Sequence, residues 1–249
     1  MISIRLSPEY IFSVFGVSIT NTFFTSIIVS LLLMICSVLY FYQKKNSKFV
    51  IIKGLEVLVY ELLKLVDSVT NNRELSKKIL PLIATFFLFI VLSNVITLVP
   101  GFLGSLFVTT SVGNLPLLRS PNSDLTVTLA LALISVISIQ YFSLRVLGLW
   151  RYIGRFINFS SLDSFFLGFF ELLSELVKIL SFSFRLFGNI FAGEVLFLTI
   201  AFLVPYIVPV PFMLLELFVG IIQAFIFALL TLVFVKTGTM RHLESTPQS

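Results

Sequence analysis

Histidine and cysteine are almost missing from this sequence: His242 and Cys36 are the single examples in 249 residues. One cysteine excludes an intrachain disulfide and any CxxC metal motif, and Cys36 reads as a small buried hydrophobe inside an apolar run. His242, in a polar tail, reads as a solvated residue rather than a ligand. Nothing else has metal-ligand spacing or pairs a nucleophile with a base, so no metal, cofactor or hydrolytic site is expected. Charge is scarce as well. Charged residues make up 12% of the chain, about half the share of a soluble domain, which is too few to cover a water-facing surface. Internal repeats of the kind found in many secondary transporters are not evident, and neither is a soluble domain or a low-complexity linker.

What the chain has in quantity is apolar surface: 58% of its residues are hydrophobic and 29 are phenylalanine. Its solvent is therefore mostly a lipid bilayer. The formal charge of +5 does not point to nucleic acid, because Lys and Arg are spread through short segments between apolar runs, where they set membrane orientation. Arg5 and Glu9 precede a long run ending at Lys44-Lys45, which reads as a retained first helix and not a cleavable signal.

A spanning helix needs roughly 20 apolar residues. The first charge-free stretch of that kind is Phe23 to Tyr42, within a first spanning helix expected over 10–43. Lys44, Lys45, Lys48 and Lys53 follow it and mark the inner side, which places the N-terminus outside. Over 55–70 the pattern changes. Leu55, Leu58, Val59, Leu62, Val66 and Val69 share one helical face while Glu56, Tyr60, Lys64 and Asp67 share the other, so this helix is expected to lie on the inner membrane surface. Further spanning helices are expected over 79–99, beginning about Pro81 and ended by Pro100-Gly101, and over 124–147, followed by Arg145, Arg151 and Arg155. The remainder forms a hairpin, 164–203 and 210–237, turned at a proline-rich stretch around Pro205, with Lys236 and Arg241 inside. The whole, 1–249, reads as one all-α polytopic membrane domain with five crossings. A helix over 164–203 would be about 60 Å long, roughly twice the hydrocarbon thickness, so the hairpin is expected to tilt steeply.

Ionisable residues at membrane depth cost several kcal/mol unless paired or wetted, and they default to function. Glu171, Ser174, Lys178, Ser181, Arg185 and Asn189 recur at spacings of three or four and form one polar stripe. Glu171 and Lys178 read equally as an inner-end ion pair with snorkelling and as part of a water path. Arg185 lies too deep to snorkel. Glu194 is half a turn out of phase with it. On the last helix Glu216 and Gln223, seven apart, share a face. Folding the hairpin at its prolines with Arg185 level with Gln223 brings Glu194 within a turn of Glu216, a paired carboxylate site able to share one proton. Asp124, opening the helix at 124–147, reads from chemistry alone as an N-cap.

The string Leu180-Ser181-Phe182-Ser183-Phe184-Arg185-Leu186-Phe187-Gly188-Asn189-Ile190-Phe191-Ala192-Gly193-Glu194 resembles the signature of the F-type ATP synthase subunit a family, and so does Gln223-Ala224-Phe225-Ile226-Phe227. With the five-crossing plan, the likeness covers nearly the whole chain. It implies a non-catalytic proton-channel subunit whose hairpin packs on a rotating ring of c subunits, with the subunit b peripheral stalk and other ATP synthase subunits as partners. It further implies that Arg185 faces the ring carboxylates, with Asn189 and Gln223 nearby. Asp124, Glu194 and Glu216 would form an outer half-channel, and Glu171, Ser174 and Lys178 an inner one. Position 216 holds His in some members and Glu in others. A bacterial plasma membrane is the expected location, an organelle inner or thylakoid membrane the alternative. Two other readings stand beside this one: a secondary transporter or ion channel with an intramembrane Arg-Glu network, and an anchoring subunit of a respiratory complex. The first would be expected to show a repeat, and the second would not need a polar stripe.

Overall fold

A computed structural model describes residues 10–14, 17–43, 50–98, 107–110, 113–116, 118–149, 152, 162–204 and 207–240. Six long helices carry the architecture among them: α1 (Asn21–Gln43), α2 (Val50–Thr70), α3 (Arg73–Leu98), α4 (Leu125–Leu147), α5 (Leu162–Leu203) and α6 (Pro209–Met240). All but α2 are long and apolar enough to cross a membrane, so the chain is an all-α polytopic membrane protein with five candidate spans. Lys44, Lys45, Lys48, Pro100, Gly101, Arg151, Arg155, Pro205, Arg241 and His242 lie outside the described residues.

Three helices begin elsewhere than the sequence suggests, and the simplest case is α2, expected from residue 55 and found from Val50. The first spanning helix starts at Asn21 and not at residue 10, because the β-branched residues ahead of it pair as an antiparallel hairpin, β1 (Tyr10–Val14) with β2 (Val17–Thr20). The Thr20 hydroxyl then accepts the Phe23 amide at 3.3 Å, capping α1. The spanning helix expected to begin about Pro81 starts eight residues earlier, at Arg73, with Pro81 inside it. Asn72 explains this start. Its side-chain oxygen accepts the amides of Glu74 at 3.0 Å and Leu75 at 3.2 Å, while Asn71 takes the left-handed conformation (φ 53) that ends α2. This two-asparagine turn folds α2 back on α3, and Arg73 pairs with Asp67 across it. A second hairpin, β3 (Phe107–Thr110) with β4 (Gly113–Pro116), occupies part of the expected outer loop.

The amphipathic stripe of α2 is spent on protein. Leu62 and Val66 are buried, and Val66 packs with Ile79 and Ile83 of α3, Ile139 of α4 and Leu232 and Val235 of α6. A second core joins Phe86 and Ile90 of α3, Ala132 of α4, Phe182, Leu186 and Ile190 of α5, and Ala224 and Phe227 of α6. Since lipid tails are as apolar as leucine, close packing and small residues hold such helices together more than the hydrophobic effect does. Gly238 illustrates the point: a Cβ there would press on the Ser143 hydroxyl of α4, so the missing side chain lets α4 and α6 approach without displacing it.

Candidate functional site

Helix α5 sorts its two faces by one residue. Phe182, Leu186 and Ile190 are buried in the core, whereas Ser181, Arg185 and Asn189, each one position earlier, are exposed. At 100° per residue, the buried row dictates where the polar row points. Arg185 therefore stands on an outward surface, with exposed Leu180 and Phe184 near it on α5. Among the described residues no carboxylate lies within ion-pairing distance of its guanidinium.

Toward the N-terminal half of α5, a cavity of about 240 Å³ is lined by Ser174, Lys178, Ser181 and Arg185 with Phe182 and Phe234. A neighbouring one of about 180 Å³ is lined by Ser174, Glu175, Lys178 and Thr237. Lys178 Nζ lies 2.7 Å from Glu175 Oε1 and 5.0 Å from the centroid of the Phe234 ring. The ion pair that sequence reading offered for Lys178 was with Glu171. The structure gives Lys178 to Glu175 instead, a residue the polar stripe omits although its spacing of three is a standard helical pairing distance. Glu171 is half-buried and lines neither cavity.

Toward the C-terminal half of α5, Asn189 Nδ2 donates to Gln223 Oε1 at 2.9 Å. Gln223 thus lies level with Asn189, one turn beyond the Arg185 level expected from spacing. The Gln223 amide nitrogen is buried without a partner. One side of Glu216 rests on glycine: a Cβ on Gly193 would stand 3.3 Å from Glu216 Cγ. Asn189, Gly193, Leu196, Glu216 and Val219 border a cavity of about 70 Å³. Glu194 and Glu216 are within electrostatic reach of each other.

A third component comes from residues 118–124, every one of them buried. Arg119 Nε lies 3.0 Å from Glu194 Oε1 and 3.4 Å from Oε2. The Arg119 amide donates to Thr25 Oγ1 of α1 at 3.3 Å. Asn94 of α3 ties this segment to α6. Its side-chain oxygen accepts Ser120 Oγ at 3.2 Å and Asn122 Nδ2 at 2.8 Å, and its Nδ2 donates to the Gly220 carbonyl at 3.3 Å. Asp124 caps α4, with Oδ1 accepting the Thr126 amide at 2.9 Å and Oδ2 accepting the Thr22 hydroxyl at 2.8 Å. Sequence reading missed both Arg119 and Asn94. Arg119 carried one usable signal, a basic residue in the connection between α3 and α4, on the side where the positive-inside bias expects few.

Residues 23–236 match the family described as ATP synthase A chain. The chain is 31% identical to ATP synthase subunit a of Legionella pneumophila (strain Paris) over 97% of its length and 96% of that protein. It is 38% identical to ATP synthase subunit a of Moorella thermoacetica (strain ATCC 39073 / JCM 9320) over 67% of each chain. To ATP synthase subunit a of Campylobacter jejuni (strain RM1221) it is 34% identical over 66% of each.

Proposed function

Because the chain belongs to the ATP synthase subunit a family, and so to the proton-translocating membrane sector of an F-type ATP synthase, we propose that it passes protons through two offset half-channels separated by Arg185. It performs no catalysis itself and acts against a ring of c subunits, held by the subunit b stalk, in a bacterial plasma membrane. Protons enter from outside past Asp124, Glu194 and Glu216 and neutralise a ring carboxylate near Asn189 and Gln223. The neutral carboxyl then turns through lipid, where a charged one would be costly. It reaches the inner path at Glu171, Ser174 and Lys178, to which the geometry adds Glu175. There it gives up its proton and meets Arg185.

The observation that carries this reading is an exposed guanidinium halfway along a spanning helix, with no carboxylate of the described residues to pair with it. An arginine at that depth requires an anionic partner, and its flanking apolar surface supplies a place for one on another subunit. The cavities on the two sides of Arg185, each carrying polar groups on a largely apolar wall, fit paths that do not meet. A potential of about 100 mV is worth roughly 2.3 kcal/mol per proton, which a direct leak would dissipate. A guanidinium keeps its protons and so cannot relay them. In vesicles with matched amounts of assembled complex, Arg185→Ala is expected to abolish ATP-driven acidification while leaving passive proton flow. Near-native acidification by that variant would overturn the assignment.

A further inference from the structure

Among the described residues the outer cluster contains three carboxylates, Asp124, Glu194 and Glu216, and one buried cation, Arg119, and its geometry treats the two glutamates differently. Glu194 has both oxygens within 3.4 Å of Arg119 Nε. Glu216 borders the cavity shared with Asn189, whereas Glu194 does not. We infer that Arg119 is the fixed counter-ion of Glu194, and that Glu216 alone of the pair takes up and releases the transported proton. This deepens the half-channel reading and rests on it for the direction of proton flow.

Arg119 cannot withdraw to water. Its side chain is 9% exposed, and residues 118–124 around it are buried backbone outside any α-helix, with one 3-10 turn at Pro121–Ser123, which at membrane depth persists only where protein satisfies it. Thr25 holds the Arg119 amide, and Asn94 holds Ser120 and Asn122. The guanidinium stays protonated, and a buried charge without its partner is strongly destabilising. Among the described residues, Asp124 uses its oxygens on Thr126 and Thr22, and the neutral Thr25 and Asn94 hold the segment that carries Arg119. With Asp124 held by its two hydrogen bonds and Glu194 engaged by Arg119, the transported proton resides on Glu216, which faces the cavity.

The assay is labelling of the intact complex with a hydrophobic carbodiimide, followed by peptide mass analysis. The reagent adds to a protonated carboxyl: the acid proton goes to one carbodiimide nitrogen and the carboxyl oxygen bonds the central carbon. An acyl shift to nitrogen then leaves a stable adduct with the summed mass of both molecules. Ring carboxylates react too, but on separate peptides. Glu216 is expected to carry at least about fivefold more adduct than Glu194, since Arg119 engages both Glu194 oxygens while Glu216 faces the cavity. Arg119→Gln should raise Glu194 labelling at least about fivefold, and Arg119→Lys, which keeps a cation, should leave it within about twofold of the unaltered complex. Glu194 labelled as much as Glu216 in the unaltered complex overturns the proposal, and so does Glu194 labelling unmoved by Arg119→Gln. If that variant does not assemble, the unaltered complex decides alone. The adduct pattern does not depend on whether protons flow by this route, so a failure of the half-channel reading would show separately, as normal synthesis by Glu194 and Glu216 variants.

Discussion

Asp124 uses both side-chain oxygens within the chain, so it is at least an anchor that joins α4 to α1 through Thr22. Glu216 has no such employment in helix capping, and its place on the cavity wall between α5 and α6 suits proton transfer. Replacing Glu216 by Gln keeps its shape, removes its carboxyl and leaves the Arg119–Glu194 pair intact. This variant is expected to assemble and to lose at least about tenfold of proton-driven ATP synthesis, the scale of a missing proton-transfer group. Synthesis near the unaltered rate at equal assembly would make the Glu216 carboxylate structural. Individual side chains were legible where helical periodicity applied: the stripe from Ser174 to Asn189 is a matter of counting by three and four. Arg119 and Asn94 were not, because their partners are 75 residues and 28 residues away, and no local period links a loop arginine to a distant helix. Such interhelical hydrogen bonds contribute about 0.6 kcal/mol each on average, so the Asn94 cluster acts chiefly by fixing positions.

The hairpin α5–α6 is where the sequence spoke most clearly at the level of whole elements. Proline spacing and the polar positions of both arms required an antiparallel register, and the Asn189–Gln223 and Gly193–Glu216 contacts lie within about one turn of it. The register can be tested covalently, since a disulfide forms only where Cα atoms approach within about 7 Å. With Cys36 replaced, cysteines at 189 and 219, two positions on one cavity wall, should cross-link well, and cysteines at 189 and 230 should not. Equal yields would refute the antiparallel arrangement. Helix starts were less legible. A proline looked like the beginning of α3, but the amide-capping Asn72 outranked it, since membrane helices tolerate proline when neighbours satisfy the freed groups. The hairpin before α1 went unread because its residues are as apolar as those of a helix, and period alone separates the two poorly over so short a run.

For the molecule as a whole, exposure is uneven in a telling way. On α4, Ile137 is 65% exposed and belongs to an ordinary lipid-facing surface. Leu196 of α5 is also exposed, yet it lies on the side of the helix that presents Arg185. A nitroxide attached at either position, again with Cys36 replaced, reports collisions with dissolved oxygen, which concentrates in lipid. In the assembled complex position 137 should remain accessible and position 196 should be shielded at least about threefold, as expected of a well-packed subunit interface. Equal accessibility would mean that no ring covers the hairpin. The one-residue offset between the rows at 181, 185, 189 and 182, 186, 190 also limits how such a chain can change over generations. A single residue gained or lost between the core of α5 and Arg185 turns everything beyond it by about 100°, driving the guanidinium inward and phenylalanine outward. A gain of seven nearly restores the angle but displaces the arginine by about 10 Å along the helix axis. Substitution is therefore open to this helix while insertion is closed, and descendants can differ in the letters of α5 far more readily than in their number.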